Sequence, residues 1–234
     1  MSPKARSKRE EQPTMEEYIE LAESRSVMYR FLSMLYSYEP IKDLAKMIKD
    51  KSILESLNDS DGGFKLLKEY VKEAEKIKDL REELEVEHTT LFVLANDRNF
   101  RPYESVYLDP DQYMGGQFTK NVERFMKRVG FEFTSALDEL PDHIAIELEF
   151  MHHMCSKEGE SWKKSKKDYG LDYLKYERDF LKDHLTKWAF DFCEDLYEKA
   201  ESNFFKAASL LTKDFLAMEE SEIDKIIESI EDLE

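Results

Sequence analysis

The 234-residue chain carries 52 acidic and 35 basic side chains, which give it a formal net charge of −17 at pH 7. A negative field of this size repels nucleic-acid phosphates and anionic lipid headgroups, so it argues against general binding to nucleic acids or membranes and favours basic peptides as partners. Hydrophobic residues make up 41% of the chain and aromatic residues 12%, which excludes a chain that is disordered throughout.

The first part of the chain predicts helices, because apolar residues recur at helical spacing and proline or glycine-rich sequence separates the stretches. Thr14 and Glu17 form a capping box that opens the first helix, and Pro40 ends it. The predicted helical stretches are 14–39, 41–57 and 64–94, with a break in the last near 78–82. The sequence 58–63 is a predicted loop, and residues 1–13 are a predicted disordered tail.

The second part predicts a long loop and then helices. Residues 95–113 contain two prolines, and a loop of this length in a compact chain often carries function. The helices that follow are predicted at 114–129, 141–156 and 174–196, with two shorter helices after them. No strand pattern or long repeat interrupts them. The sequence therefore predicts an all-α fold, a compact helical bundle or orthogonal helical array without a sheet, with residues 14–234 in a single domain.

The sequence also favours a cytoplasmic protein. No apolar run approaches the roughly 18 residues that span a bilayer, so no stable membrane insertion is expected. The basic start of the chain is not followed by the apolar segment of a secretory signal. Cys155 and Cys193, the only two cysteines, are too few for a disulfide framework and lie in apolar helical patterns. Both are predicted to be buried, reduced thiols.

Residues with catalytic or metal-binding chemistry cluster between 142 and 155. The histidines of this cluster point in different directions on a helix, whereas a metal site needs three or four converging ligands, so no metal is predicted. Asp142 and His143 could form an acid/base pair, but no nucleophile or phosphate-binding loop accompanies them. The favoured interpretation is that Asp142 accepts hydrogen bonds from free helix N–H groups and His143 packs beside it. The residues support neither an enzyme nor a cofactor.

Four sequence blocks stand out between residues 25 and 195. The most distinctive is LPDHIAIELEFM at 140–151. The others are YRFLSMLY at 29–36, EHTTLF at 87–92 with PYESVY at 102–107, and F-x-x-x-HL-x-x-W-x-x-x-F at 180–192. In this order the blocks resemble the TorD/DmsD/NarJ family of redox-enzyme maturation chaperones, whose signature is close to E-x-x-DHI-x-x-ELEFM.

This resemblance implies an all-helical cytoplasmic chaperone that performs no catalysis. It would bind the twin-arginine leader, or another segment, of a molybdenum or tungsten oxidoreductase subunit and hold that precursor for cofactor insertion before export or assembly. The partners that it implies are the precursor and cofactor-insertion proteins, and both a monomer and a helix-swapped dimer remain open. The expected peptide-binding residues come from the long loop and the head of the signature helix: Tyr103, Ser105, Tyr107, Asp142, His143 and Glu147.

The roles expected of these residues differ. Tyr103 and Tyr107 would supply apolar contact with a polar tip, whereas Asp142 and Glu147 would meet the arginines of the leader. His143 would orient the loop or add a protonation-sensitive contact. Many relatives carry tryptophan in place of Tyr103, so the leader preference is expected to differ here. The alternative is a helical protein or enzyme that binds a nucleotide or pterin in a closed pocket and uses Asp142 and His143.

Overall fold

The computed structural model describes residues 13–50, 62–94, 100–131 and 139–232. In these ranges the chain forms the helices α1 (Met15–Tyr36), α2 (Ile41–Lys49), α3 (Gly62–Ala74), α4 (Leu80–His88), α5 (Glu104–Leu108), α6 (Gly116–Arg128), α7 (Ile144–Lys163), α8 (Lys167–Asp183), α9 (Ala189–Lys199) and α10 (Asn203–Glu231). A π-helical turn, Thr89–Val93, continues α4. The described residues contain no β-strand, only an isolated antiparallel bridge between Tyr103 and His143. The predicted all-α fold is therefore confirmed.

Some predictions fall outside the described residues. The predicted tail 1–13 lies outside them except for Pro13. The structure also does not describe the part of the predicted second helix beyond Asp50, nor residues 58–61 of the predicted loop. That residues 14–234 form one domain stays a prediction. None of the described helices is long and apolar enough to cross a membrane.

The start of α1 is as predicted, but its end is not. The N–H of Glu17 donates to Thr14 Oγ1 over 3.3 Å, and the N–H of Thr14 donates to Glu17 Oε2 over 2.6 Å, which completes the capping box. The helix stops at Tyr36, because Ser37 is already extended, and Pro40 instead stands at the start of α2. A proline suits the first positions of a helix, since it lacks an N–H that would have no helical partner there.

The glycine pair 62–63 lies in α3, not in a loop as predicted. A Cβ on Gly63 would lie 2.7 Å from Leu211 Cγ, so this position lets α3 approach α10 more closely than any side chain would allow. By contrast, the predicted break in 64–94 is confirmed, because α3 ends at Ala74 and α4 begins at Leu80.

The C-terminal part differs most from its prediction. The predicted helix 174–196 is divided at His184, where the backbone leaves the helical region, and a short 3₁₀ turn separates α8 from α9. The apolar stripe from Leu174 to Leu196 is nevertheless buried throughout, on two helices. The two shorter helices expected at the end are one helix of 29 residues, α10. The signature helix α7 begins at Ile144 instead of Pro141 and continues to Lys163.

Two long helices, α7 and α10, make the main contacts between helices. Helix α7 packs along α1 and α8, and α10 packs against α3, α9 and α8. Phe150, Met151 and Trp188 are fully buried. Cys155 and Cys193 are buried free thiols, as predicted.

A single buried arginine on α1 joins three other helices. Its guanidinium lies 3.0 Å from Glu158 Oε2 on α7, 2.8 Å from Glu177 Oε2 on α8 and 2.9 Å from Glu219 Oε2 on α10, and Arg25 itself is only 3% exposed. Two of these glutamates also accept hydrogen bonds from other buried side chains. Tyr29 Oη donates to Glu219 and Trp162 Nε1 donates to Glu158, over 3.0 and 2.9 Å.

The Arg25 cluster, made of Arg25, Glu158, Glu177 and Glu219, contains more acidic than basic groups. Burial raises the pKa of Glu177 well above its usual value, and the charge of Glu158 raises it further. Burial likewise raises the pKa of Glu158, while the charge of Arg25 opposes that shift. Burial therefore favours the protonated forms of Glu177 and Glu158, and the charge of Arg25 opposes this at both residues.

Replacing Arg25 should be among the most damaging single changes in the chain. We expect Arg25→Met to lower the free energy of unfolding by about 3–5 kcal/mol, because it leaves buried carboxylates without their cation. Arg30 lies on the same helix and is exposed, so Arg30→Met is the matched control and should change stability by no more than about 0.5 kcal/mol. Urea unfolding followed by circular dichroism measures both; equal stability of the two variants would contradict the assigned role.

Candidate functional site

The long loop is held against the start of the signature helix by backbone hydrogen bonds. The N–H of Ile144 donates to the carbonyl of Pro102 over 2.8 Å, and the N–H of Glu104 donates to the carbonyl of Asp142 over 2.9 Å. These two bonds frame the bridge between Tyr103 and His143. As a result, the short helix α5 sits directly on the N-terminal end of α7.

Asp142 and His143 each cap a different helix. Asp142 Oδ2 accepts the N–H of Ser105 over 3.0 Å at the start of α5, whereas His143 Nδ1 accepts the N–H of Ala145 over 3.1 Å at the start of its own helix. Asp142 thus accepts a free helix N–H as expected, but from a helix other than its own. Burial lowers the pKa of His143 to about 3, so the imidazole stays neutral at physiological pH. This arrangement gives no support to an acid/base pair.

Behind the caps lies a second group of buried acids, Glu104, Asp142 and Glu147. Glu104 Oε2 lies 3.0 Å from Nδ1 of His184, and Glu147 Oε2 accepts the indole N–H of Trp188 over 3.1 Å. Burial raises the pKa of Glu147 well above its usual value, and the charges of Glu104 and Asp142 raise it further. Burial and the neighbouring acids therefore favour the protonated form of Glu147 in the folded protein.

The two tyrosines of the loop are the partly accessible members of the predicted site. The hydroxyl of Tyr103 donates to Glu139, and its ring meets that of His143 edge-on at 5.0 Å. The hydroxyl of Tyr107 donates to Asp195 Oδ2 over 3.0 Å on α9, and its ring lies 5.6 Å from that of Trp188. Both tyrosines present an apolar ring with a polar tip at the surface.

The structure brings all six predicted site residues into one region, which we call the signature corner, but it buries four of them. Ser105, Asp142, His143 and Glu147 are at most 5% exposed. Sequence reasoning missed Glu104 and His184, although both stand inside the motif blocks at 102–107 and 180–192. Their spacing in the sequence, 80 residues, gave no sign that they would form a pair.

One group of described residues has the spacing of a metal site. Ligand atoms of Cys155, Glu158 and Glu177 lie within 4.8 Å of one another. The guanidinium of Arg25 already contacts both of these carboxylates, so it supplies the positive charge that a metal ion would bring. His152 is engaged elsewhere, with Nδ1 2.8 Å from Ser26 Oγ.

Comparisons with known proteins agree on one group of relatives. The family model described as nitrate reductase delta subunit matches residues 57–194. The chain is 24% identical over 220 residues to the chaperone protein TorD of Vibrio cholerae, covering 92% of this chain and 98% of the relative. It is 27% identical over 135 residues to DmsD of Haemophilus influenzae, described as a Tat proofreading chaperone, covering 58% and 59%.

The fold also resembles a solved structure. A crystal structure from Archaeoglobus fulgidus, described as a redox enzyme maturation protein, superposes with a TM-score of 0.53 at 22% identity. The match covers 82% of this chain and 93% of the other. The helical array is therefore shared with that protein.

The raised pKa of Glu147 predicts a pH dependence of stability. Below the ordinary carboxyl pKa both states hold the proton; as pH rises above it, only the folded state does, so the free energy of unfolding falls. Glu147→Gln removes the titrating carboxyl group and keeps an oxygen that can accept the indole N–H of Trp188. We expect the free energy of unfolding of the variant to fall less steeply between pH 5 and 8 than that of the unsubstituted chain. The two slopes should differ by up to about 1.4 kcal/mol per pH unit.

The matched control is Glu149→Gln, since Glu149 is exposed on the same helix. Urea titrations at several pH values measure the slope for each protein. A slope in Glu147→Gln equal to that of the unsubstituted chain would show that Glu147 is ionised in the folded state.

Proposed function

The chain belongs to the nitrate reductase delta subunit family, the TorD/DmsD/NarJ group of redox-enzyme maturation chaperones, and we propose that it holds the precursor of a molybdenum or tungsten oxidoreductase subunit for cofactor insertion. The observation that carries this proposal is the match along 98% of a relative named as a chaperone. The protein acts as a chaperone, not as an enzyme. It would work in the cytoplasm, before export or assembly of its client.

The segment that we propose it binds is the twin-arginine leader of the client. DmsD of Haemophilus influenzae is described as a Tat proofreading chaperone, which supports this choice over a mature segment. The net charge of −17 would attract the basic residues of a leader and speed the encounter. Cofactor-insertion proteins would be further partners of the loaded complex.

The signature corner is the proposed leader-binding site. Tyr103 and Tyr107 would contact the leader directly, because they are the partly accessible members. Ser105, Asp142, His143 and Glu147 hold α5 on α7, so the leader arginines would reach Asp142 and Glu147 only after α5 moves. Asp142 Oδ1 supports this view, because it is buried and has no hydrogen-bond partner among the described residues.

Calorimetric titration with synthetic leader peptides from the molybdoenzyme precursors of the source organism tests the function. We expect saturable binding of one leader, and weaker binding when both of its arginines are alanine, because each guanidinium loses a charge-assisted partner. Absence of binding to every leader would contradict leader recognition.

The proposed site has its own test. We expect Tyr107→Ala and Asp142→Ala to stay folded by circular dichroism, with a loss of about 0.5–2 kcal/mol in Asp142→Ala from the missing cap. Both should bind the leader more weakly. Tyr197→Ala removes an exposed tyrosine from α9 and serves as control. Wild-type affinity in both site variants would rule out the signature corner.

A further inference from the structure

Three buried carboxyl groups meet at the base of the signature corner, those of Glu104, Asp142 and Glu147, which we call the acid triad. None of these residues is more than 1% exposed. The charges of Glu104 and Asp142 both act on Glu147, so the three groups are neighbours although they come from two separate stretches of the chain. Among the described residues, no lysine or arginine pairs with the acid triad, and its basic contact is His184, on Glu104.

The Arg25 cluster shows how this protein neutralises three buried acids elsewhere. One guanidinium there contacts three glutamates from three helices, over 2.8 to 3.0 Å. A guanidinium suits such a place because it presents several N–H donors in a planar fork and keeps its charge in the interior. The acid triad offers the same number of carboxyl groups, but the described part of the chain supplies no guanidinium to it.

Two oxygen atoms of the acid triad have acceptor capacity left. Asp142 Oδ1 and Glu147 Oε1 are buried, and neither has a hydrogen-bond partner among the described residues. The other oxygen of each group is engaged, Asp142 Oδ2 by the N–H of Ser105 and Glu147 Oε2 by the indole N–H of Trp188. Buried polar atoms almost always have a partner, so two unpaired acceptors in one acidic group favour a cationic donor from another molecule.

The acid triad is covered by a small element. Helix α5 has five residues, and the hydroxyl of Ser105 on it accepts the N–H of Gly115 over 3.1 Å. Gly115 and its neighbour Gly116 have φ angles of 96° and 81°, a region that favours glycine because residues with a Cβ are strained there. The chain beside α5 thus turns at residues with wide backbone freedom, which suits a cover that moves when a ligand enters.

Glu147 is the member of the acid triad whose charge would change on binding. Burial and the charges of Glu104 and Asp142 raise its pKa, so its protonated form is favoured while no cation is near. A guanidinium beside a carboxyl group acts in the opposite direction and lowers the pKa of that group. Entry of an arginine side chain would therefore ionise Glu147.

The other titratable groups around Glu147 come from several elements: Glu104 on α5, Asp142 and His143 before α7, and His184 after α8. Helix α1 meets this end of α7 at the uncharged Ser33, whose hydroxyl donates to the carbonyl of Ala145 over 2.7 Å. From α4, His88 acts on His143. Burial lowers the pKa of both of these histidines, so neither has a proton to release at pH 7 and above. His184 is the competing source of a proton.

We propose that the acid triad binds one guanidinium group of the client's leader in exchange for one proton. The inference rests on the proposed function and adds to it the charge state of the site and its regulation by pH. As the guanidinium reaches Asp142 Oδ1 and Glu147 Oε1, the O–H bond of the Glu147 carboxyl breaks and the proton leaves to the solvent. The leader is therefore held more tightly as pH rises, and a fall in pH favours its release.

Calorimetric titration in pairs of buffers with different ionisation enthalpies counts the protons that binding releases. The leader peptide carries an acetylated N-terminus, so that its own amino group does not titrate. We expect about one proton per bound leader at pH 7, and an affinity that rises by up to about tenfold per pH unit between pH 6 and 8. Glu147→Gln should release no proton and bind independently of pH. Glu149→Gln, at an exposed position on the same helix, should behave like the unsubstituted chain.

Citrulline peptides test the guanidinium itself and need no variant of the protein. Citrulline has nearly the shape of arginine but carries no charge, and it replaces each leader arginine in turn and then both. We expect one of the single replacements to abolish proton release and to weaken binding about tenfold, because that arginine enters the acid triad. The other single replacement should weaken binding but leave proton release in place.

Three outcomes would overturn the inference while leader binding itself still stands. The first is leader binding without proton release from pH 6 to 8, and the second is undiminished release with the peptide that carries two citrullines. The third is undiminished release by a folded Glu147→Gln, which would place the source at His184. Absence of leader binding to the unsubstituted chain would overturn the proposed function together with the inference.

Discussion

The buried ion cluster around Arg25 is the constraint on which the arrangement of the helices depends. A guanidinium inside a protein is stable only when several acceptors surround it, and here the acceptors come from α7, α8 and α10. Each helix must therefore approach α1 to within ion-pair distance, which sets the crossing points of the array more narrowly than apolar packing alone. The surrounding core of Tyr29, Trp162 and Cys155 excludes water from these contacts.

The signature corner also buries several acidic side chains close together, but it contains no arginine that pairs with them. Glu104, Asp142 and Glu147 are brought together in the interior, where one oxygen of each contacts His184, the N–H of Ser105 and the indole N–H of Trp188, respectively. Residues that look like catalytic or ligand-binding groups in the sequence thus hold α5 against α7.

Local signals in the sequence predicted much of this structure, and contacts between distant residues limited the rest. The capping box at Thr14 and the break after Ala74 depend on neighbouring residues, so both could be found. The division at His184 could not, because its partner Glu104 lies 80 residues away and no local breaker marks the place. Likewise, the motif at 140–151 identified residue types in the signature corner but not their orientation, and the burial of Asp142 follows from the fold of the loop above it.

The contact between the first and last long helices has a consequence for the biogenesis of the protein itself. Arg25 and Glu219 are 194 residues apart, and Tyr18 bonds to Ser229 across 211 residues. At usual rates of translation, α1 leaves the ribosome on the order of 10–40 s before its last partner is made. Until α7 is made, the apolar face of α1 lacks its main packing partner, and Arg25 lacks all of its carboxylate partners. A chaperone thus passes through a stage of its own synthesis in which its first helix lacks its native partners.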